Sequence, residues 1–276
     1  MKPALLNENR IAGGLRNRIA VEVLETVDST STELRLRIQN GLDHPLLLLA
    51  EEQTAGRGRH GHSFYSPKYE GLYFSLAYPV PEIGTDALLR VTAKTAVAAA
   101  RGVERTCGIP LAIKWVNDLY MDRMKVGGIL TECVNSHWLI IGIGLNVTTS
   151  IFPGDLVGKA KGLNPLGDEE MDQNQPTPDS KPVPDRNELA VAIVDALLWE
   201  LEHPEDQSYL TEYRSRSNVI GETVVFSDYR DGGSLEERGT AVGIEDDGAL
   251  FIKKEDGTMI RLDSGEIRVR TLKGEF

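Results

Sequence analysis

Residues 51–67 read EEQTAGRGRHGHSFYSP, and the rest of the chain is best read outward from them. Before them stands LLLLA (46–50), an apolar run of strand length that follows Pro45; after them comes LYFSLAY (72–78), a second strand pattern. Glycines 56, 58 and 61 reach backbone conformations closed to other residues, while Arg57 and Arg59 carry planar donor forks suited to carboxylate or phosphate. Such a loop wraps an anion. Taken alone, the same letters also describe a flexible basic loop or an RGG-like nucleic-acid segment. The flanking strands favour a loop anchored at both ends and folded over something.

Upstream, VEVLETV (21–27) alternates like a strand, and Ser29, Thr30, Ser31 and Thr32 offer N-caps for a helix to about Gln39. The same hydroxyls are suited to a ligand. Downstream, the alanine-rich stretch Leu88 to Arg101 predicts a buried helix, and three strands follow: LAIKWV (111–116), KVGGILTECV (125–134) and HWLIIGIGLNV (137–147). MDRMK (121–125) is read as the turn joining the first two in a hairpin. From 158 to 185 the composition turns to Pro, Gly, Asp, Glu, Asn and Gln, which predicts a mobile insertion. Helical patterning returns in ELAVAIVDALLWELE (188–202) and QSYLTEYRSR (207–216). Beyond Gly221, short strands separated by DGGS, DDG and EDG turns predict a small antiparallel barrel. The expectation is an α+β domain over 1–216 and a β domain over 217–276.

The 276 residues, 41% hydrophobic, suffice for one large core and a small one. A net charge of −12 opposes tight binding to a nucleic-acid backbone, although a local basic pocket still suits a nucleotide. Cys107 and Cys133 give neither a disulfide framework nor a cysteine zinc site, and the N-terminus turns polar before a signal sequence builds. A cytoplasmic protein that binds neither DNA nor membrane is expected.

Two further stretches carry chemistry. IKWVNDLYMDRMKVGGIL (113–130) sets Lys114, Asn117, Asp118 and Lys125 around one hairpin. These groups suit phosphoryl or adenylyl transfer, with cations against phosphate charge and a carboxylate for Mg²⁺; a solvated hairpin face has the same letters. In GIGLNV (142–147), Asn146 ends a buried strand, where it either reads a heterocycle edge or caps a turn. Phe64 and Tyr65 suit base stacking or the core. His60 and His62 lack a third ligand at metal spacing and are read as solvent-facing or phosphate-contacting.

The order of these segments resembles the biotin–protein ligase family: DSTS (28–31), QTAGRGRHGHSFYSP, LYFSLAY, KWVNDLY (114–120), KVGGIL (125–130), GIGLNV and a GEIRVR tail (265–270). The resemblance spans nearly the whole chain, apart from the first residues and the 158–185 stretch. It implies a catalytic domain related to class II aminoacyl-tRNA synthetases, followed by a small SH3-like β-barrel. It implies ATP and biotin as substrates with Mg²⁺, formation of biotinyl-5′-AMP, and transfer of biotin to a lysine of the biotin carboxyl carrier domain of a biotin-dependent carboxylase.

By that resemblance Ser29, Thr30 and Gln53 face the biotin ureido ring, and Gly56, Arg57, Gly58 and Arg59 close over biotin. Lys125, with Gly127 nearby, meets the biotin carboxylate and α-phosphate. Arg59, His60, Phe64, Lys114, Asn117, Asn146 and Arg270 serve the nucleotide. Lys125, Arg57, Lys114 and Asp118 form the catalytic set, with Asp118 toward Mg²⁺. The chain departs from the family where His60 and His62 stand for common arginines, Val116 for a proline and Phe64 for a tryptophan. The histidines remove permanent charge from the pocket. About twenty residues precede the first strand, too few for the helix-turn-helix of some relatives, so a monofunctional ligase is expected. Homodimerisation through a sheet edge stays open. The rival readings are a lipoate or octanoyl ligase, whose loop is of a serine–glycine kind, and a non-catalytic nucleic-acid-binding protein.

Overall fold

Seven strands carry the glycine–arginine loop: β1 (Ala20–Leu24), β2 (Leu46–Ala50), β3 (Gly71–Pro79), β4 (Ala112–Lys114), β5 (Asp118–Met121), β6 (Met124–Val134) and β7 (Trp138–Asn146). In this computed structural model, residues 4–84, 87–163, 183–227, 236–263, 266–271 and 274–275 are described, the last two stretches as backbone. The sheet order is β1-β2-β3-β7-β6-β5-β4. Only β1 and β2 pair in parallel, with helix α2 (Thr30–Gln39) as their crossover, and the other pairings are antiparallel.

Alternation along each strand assigns the two faces. On one, Leu47, Leu49, Phe74, Leu76, Ile141, Ile143 and Leu145 pack into the main core with α3 (Ala87–Cys107) and α4 (Arg186–Glu202). The alanines of α3 let it lie close, and Asp185 caps α4 by accepting from the Asn187 and Glu188 amides. On the opposite face Leu46, Leu48, Ala77 and Ile140 meet Leu34 and Ile38 of α2. That second apolar patch runs across one end of the face, from Leu46 and Leu48 of β2 to Ile140 of β7 and Val134 of β6, and stops where Ser75, Gly142 and Gly144 replace apolar residues farther along β3 and β7. The uncovered stretch is where the site lies.

The structure corrects the strand reading at 111–121. LAIKWV is not one strand: β4 stops at Lys114, residues 115–117 turn, and DLYM forms β5, which pairs with both β4 and β6. The turn is anchored from outside. Trp115 Nε1 donates to Gly248 O at 2.8 Å, and Tyr213 Oη of α5 (Ser208–Arg216) donates to Val116 O at 2.9 Å. The turn joining β5 to β6 is tight, with positive φ at Asp122 and Arg123 (49° and 65°), as right-twisted hairpins prefer. A helix not read from the sequence, α1 (Glu8–Gly14), is held to α4 by Asn7 N donating to Asn187 Oδ1 at 2.8 Å.

The middle of the 158–185 stretch, residues 164–182, lies outside the described residues. Its described beginning is not loose. Lys125 N donates to Lys159 O at 2.8 Å, Lys161 N to Lys125 O at 3.0 Å and Leu163 N to Asn146 O at 2.9 Å, so residues 159–163 run beside the starts and ends of β6 and β7. Leu163 is buried in the core. Backbone pairing supplied by tertiary neighbours overrides the polar composition here.

The C-terminal strands β8 (Thr223–Ser227), β9 (Glu237–Ile244), β10 (Leu250–Lys253), β11 (Met259–Leu262), β12 (Glu266–Thr271) and β13 (Gly274–Glu275) form an antiparallel sheet in the order β11-β10-β9-β8-β12-β13. The expected small β unit is there. Its order is open rather than ringed, since no pairing among the described residues closes β11 onto β13. The expected division near residue 216 falls between α5 and β8. Arg214 ties the two parts through Ile244 O and Asp246. Among the described residues no helix is long and apolar enough to cross a membrane.

Candidate active site

Two rows of cross-strand partners floor the site on the α2 face. Ser75, Gly142 and Leu130 form one; Tyr73, Gly144, Gly128, Asp118 and Lys114 form the other, running from β3 to β4. Direct partners point to the same face. The missing side chains are needed: a Cβ on Gly142 would sit 2.8 Å from Ser31 Oγ, and one on Gly144 2.6 Å from Phe64 Cε1. The Phe64 ring therefore lies directly on the floor, edge-on to Tyr73 at 6.4 Å between centroids.

At the β3 end, the first turn of α2 is buried against the sheet. Ser29, Thr30 and Ser31 are buried, and the Ser29 side chain makes no capping hydrogen bond with its helix. Thr30 N and Oγ1 both donate to Gln53 Oε1, at 2.9 and 3.1 Å, while the hydroxyls of Thr30 and Ser31 lie 2.8 and 2.9 Å from Ser75 Oγ. Gln53 Nε2 donates to Ser66 Oγ at 2.9 Å. The result is a cluster of small donors and acceptors in which Thr30, Ser31, Ser75, Gln53 and Ser66 are joined by hydrogen bonds. It suits an uncharged polar group such as a ureido ring.

The glycine–arginine loop spans the site. Phe64 N donates to Gly56 O at 2.8 Å and Gly58 N to His62 O at 2.7 Å, so the loop folds back as an irregular hairpin. Gly56 carries no side chain because Phe64 O would stand 2.4 Å from its Cβ. Arg59 NH1 donates to Asn117 Oδ1 at 3.3 Å, tying the loop to the 115–117 turn. Burial pulls the Arg59 guanidinium below its usual value, against the pull of Asp118 that favours its charge. Arg57 turns the other way, toward Glu132 on β6.

At the β5 end, Lys125 Nζ pairs with Asp118 Oδ1 at 2.7 Å, over the open face of Gly128. Lys114 is buried with its ammonium 5.5 Å above the Tyr120 ring. Asn146 is also buried; its Nδ2 donates to Lys161 O at 3.4 Å, while Oδ1 has no hydrogen-bond partner. An amide held this way has acceptor capacity to offer a ligand.

The sequence-predicted residues thus fall into one surface with a few exceptions. Asn117 is used structurally, donating to Ile129 O at 2.9 Å as well as receiving Arg59. Gly127 faces the opposite side of the sheet, where a Cβ would meet Leu145 Cδ2 at 2.5 Å; Gly128 is the glycine that borders the site. His60 and His62 are exposed, and among the described residues no cluster of three His, Cys, Asp or Glu offers a metal site. Arg270 lies on β12, in the second sheet. Sequence reading missed Ser66, Ser75, Glu132 and the 159–163 segment. The two-residue spacing of Gly142 and Gly144 inside GIGLNV was the available signal for the floor.

Residues 23–146 match the Biotin/lipoate A/B protein ligase family, and residues 219–270 match the Biotin protein ligase C terminal domain. The bifunctional ligase/repressor BirA of Bacillus spizizenii is 28% identical over 93% of this chain and 77% of its own length. A Mycobacterium tuberculosis biotin–acetyl-CoA-carboxylase ligase is 28% identical over 90% of this chain and 88% of its own. Among solved structures, the biotin protein ligase from Aquifex aeolicus in complex with biotin and ATP superposes with a TM-score of 0.73 at 27% identity, covering 91% of this chain and 98% of that one. With residues 23–146 and 219–270 matched by these two ligase models, and a fold shared with a solved biotin protein ligase over 91% of its length, the chain belongs to the biotin protein ligase family.

Proposed function

We propose that this protein activates biotin with ATP and transfers it to a lysine of a biotin carboxyl carrier domain. One observation carries the reading: a single glycine-floored face joins an uncharged hydrogen-bonding pocket, at Thr30, Gln53 and Ser75, to a cationic end, at Lys125, Lys114 and Arg59. Biotin has those two ends, a neutral ureido ring and a carboxylate.

In the first step the biotin carboxylate attacks the α-phosphorus of ATP and pyrophosphate leaves. Two anions must meet, so fixed cations that suppress their repulsion are the main requirement. Lys125 stands where the carboxylate of a ligand lying on the floor reaches, and Lys114 and Arg59 flank it. Asn146 Oδ1, buried without a partner, is the acceptor available to an adenine amino group. In the second step the acceptor lysine amine attacks the mixed anhydride carbonyl and AMP leaves. Folding of the 56–62 loop over the floor shields that anhydride from water.

Mg²⁺ fits this donor set in one way. Asp118 is a carboxylate beside the cations, so it would hold an ion that arrives with ATP. Such an ion would neutralise charge on the phosphates.

Biotin-dependent exchange of labelled pyrophosphate into ATP tests the reading, with lipoate and octanoate run in parallel. Exchange with biotin alone is expected. Its absence in folded protein, or exchange with lipoate instead, would overturn the assignment.

A further inference from the structure

Glu132 lies on β6 on the same face as the site, opposite Ile140 of β7. Its Oε1 accepts from Arg35 NH2 of α2 at 2.8 Å and lies 3.2 Å from Arg57 NH2, while Arg57 NH1 donates to its Oε2 at 3.5 Å. One carboxylate thus joins the helix whose first turn lines the neutral pocket to the loop that covers the floor. The two arginines are not equivalent. Arg35 is the closer partner and is one-third exposed, whereas Arg57 makes longer contacts and is 43% exposed. Glu132 itself is only 16% exposed, so its charge is shielded from solvent and needs the guanidinium partners.

We infer that Glu132 is a positioning residue: it tethers Arg57, and through Arg57 the glycine–arginine loop, against the sheet, so that the loop retains the acyl-adenylate. The inference rests on the ligase reading for what is retained, but the tether is a property of the free chain. Arg35 holds the carboxylate in place from the helix side, and Arg57 shares its five donors between Glu132 and an anion on the floor. With the carboxylate gone, an arginine on a glycine-rich hairpin regains its freedom and the cover loosens.

Three variants and two readouts test this. Glu132→Gln removes the charge at constant shape, Arg35→Gln removes the helix partner alone, and Glu132→Gln in an Arg57→Ala background asks whether the effect runs through Arg57. The first readout is tryptic cleavage in the 57–62 loop of the ligand-free chain, scored after Arg59 in the Arg57→Ala background. The second is escape of labelled adenylate from protein loaded with biotin and ATP and chased with unlabelled substrates. Glu132→Gln is expected to speed both, escape by roughly tenfold, the equivalent of about 1.4 kcal/mol. Arg35→Gln, which leaves the carboxylate and Arg57 in place, is expected to act more weakly than Glu132→Gln in both, and Glu132→Gln is expected to add nothing once Arg57 is gone. Wild-type behaviour of Glu132→Gln in both assays would overturn the inference. So would an equal effect of Arg35→Gln, or an undiminished effect without Arg57. A wild-type chain that forms no adenylate would refute the ligase reading, while the cleavage assay still decides the tether.

Discussion

Lys125 and Asp118 meet at 2.7 Å because the β5–β6 register slips between Leu119 and Tyr120: Leu119 pairs with Gly127 and Tyr120 with Lys125, leaving Val126 as the extra residue. Strict alternation would put Lys125 on the same face as Gly127, toward the core. The bulge returns it to the face of Gly128 and Asp118.

In the proposed reaction that ammonium offsets the repulsion between two anions, and its loss is expected to slow adenylate formation by roughly 100-fold, as for other groups that stabilise transition-state charge. Lys125→Ala should therefore depress pyrophosphate exchange while circular dichroism stays native. Wild-type exchange would show that the charge acts elsewhere.

Gly142→Ala is expected to weaken biotin binding with little loss of stability. Its Cβ would press on Ser31 Oγ at 2.8 Å and Ser75 Oγ at 3.3 Å, the hydroxyls that shape the neutral pocket. A rise of about tenfold in the biotin KM corresponds to about 1.4 kcal/mol. An unchanged KM would remove this part of the floor from the biotin site.

Trp115 joins the 115–117 turn to the second sheet through Gly248 O. Trp115→Phe keeps most of the ring but leaves a buried carbonyl without its donor, at a cost of about 1–3 kcal/mol. Urea titration should show the loss. Because the turn also holds Asn117 and thereby Arg59, pyrophosphate exchange should fall as well.

A buried ion pair secures the N-terminal segment: Arg186 NH1 lies 2.6 Å from Glu51 Oε2, and Arg186 also donates to Gly71 O and Ala4 O. Arg186→Met strands the Glu51 carboxylate in the core and is expected to cost about 3–5 kcal/mol. Adding Glu51→Met should recover part of it. Equal stability of the single variant and wild type in urea would show that Glu51 finds another partner.

Asp185 gives a pH signature. Burial opposes its charge, but the Asn187 and Glu188 amides, Arg10 and the Asn187 side chain together hold its carboxyl below the ordinary 3.8. A depressed folded value means stability that is fully present above the unfolded value and lost as pH falls through the folded one. Asp185→Ala is expected to cost about 1 kcal/mol at neutral pH as a lost helix cap. The gap to wild type should hold down to about pH 4 and narrow below it. A gap that widens in acid would contradict the sign.

Much of this was legible in the letters. The strands flanking the glycine–arginine loop and the GIGLNV strand follow from short-range apolar patterning, which acts over a few residues, and the helix starts at Ser29–Thr30 as read, although Ser29 makes no side-chain cap. The motif order named the family. The turn at 115–117 was not legible, because its anchors, Gly248 and Tyr213, lie about 100 residues or more downstream in the chain. Nor was the ordering of residues 159–163, whose partners are the backbone of Lys125 and Asn146.

The sequence alone determined which chemical groups are present and which local elements carry them: a loop with two guanidinium groups, a hydroxyl-rich helix start, and cations and a carboxylate on one hairpin. Which face each group takes was decided in three dimensions. Lys125 reaches Asp118 through a bulge, Gly127 and Gly128 exchange the roles their motif suggests, and Arg57 turns to Glu132 while Arg59 turns to Asn117. The physical reason is that side-chain direction in a strand has a period of two, so one unpaired residue reverses it, and strand pairing with distant segments sets where that residue falls.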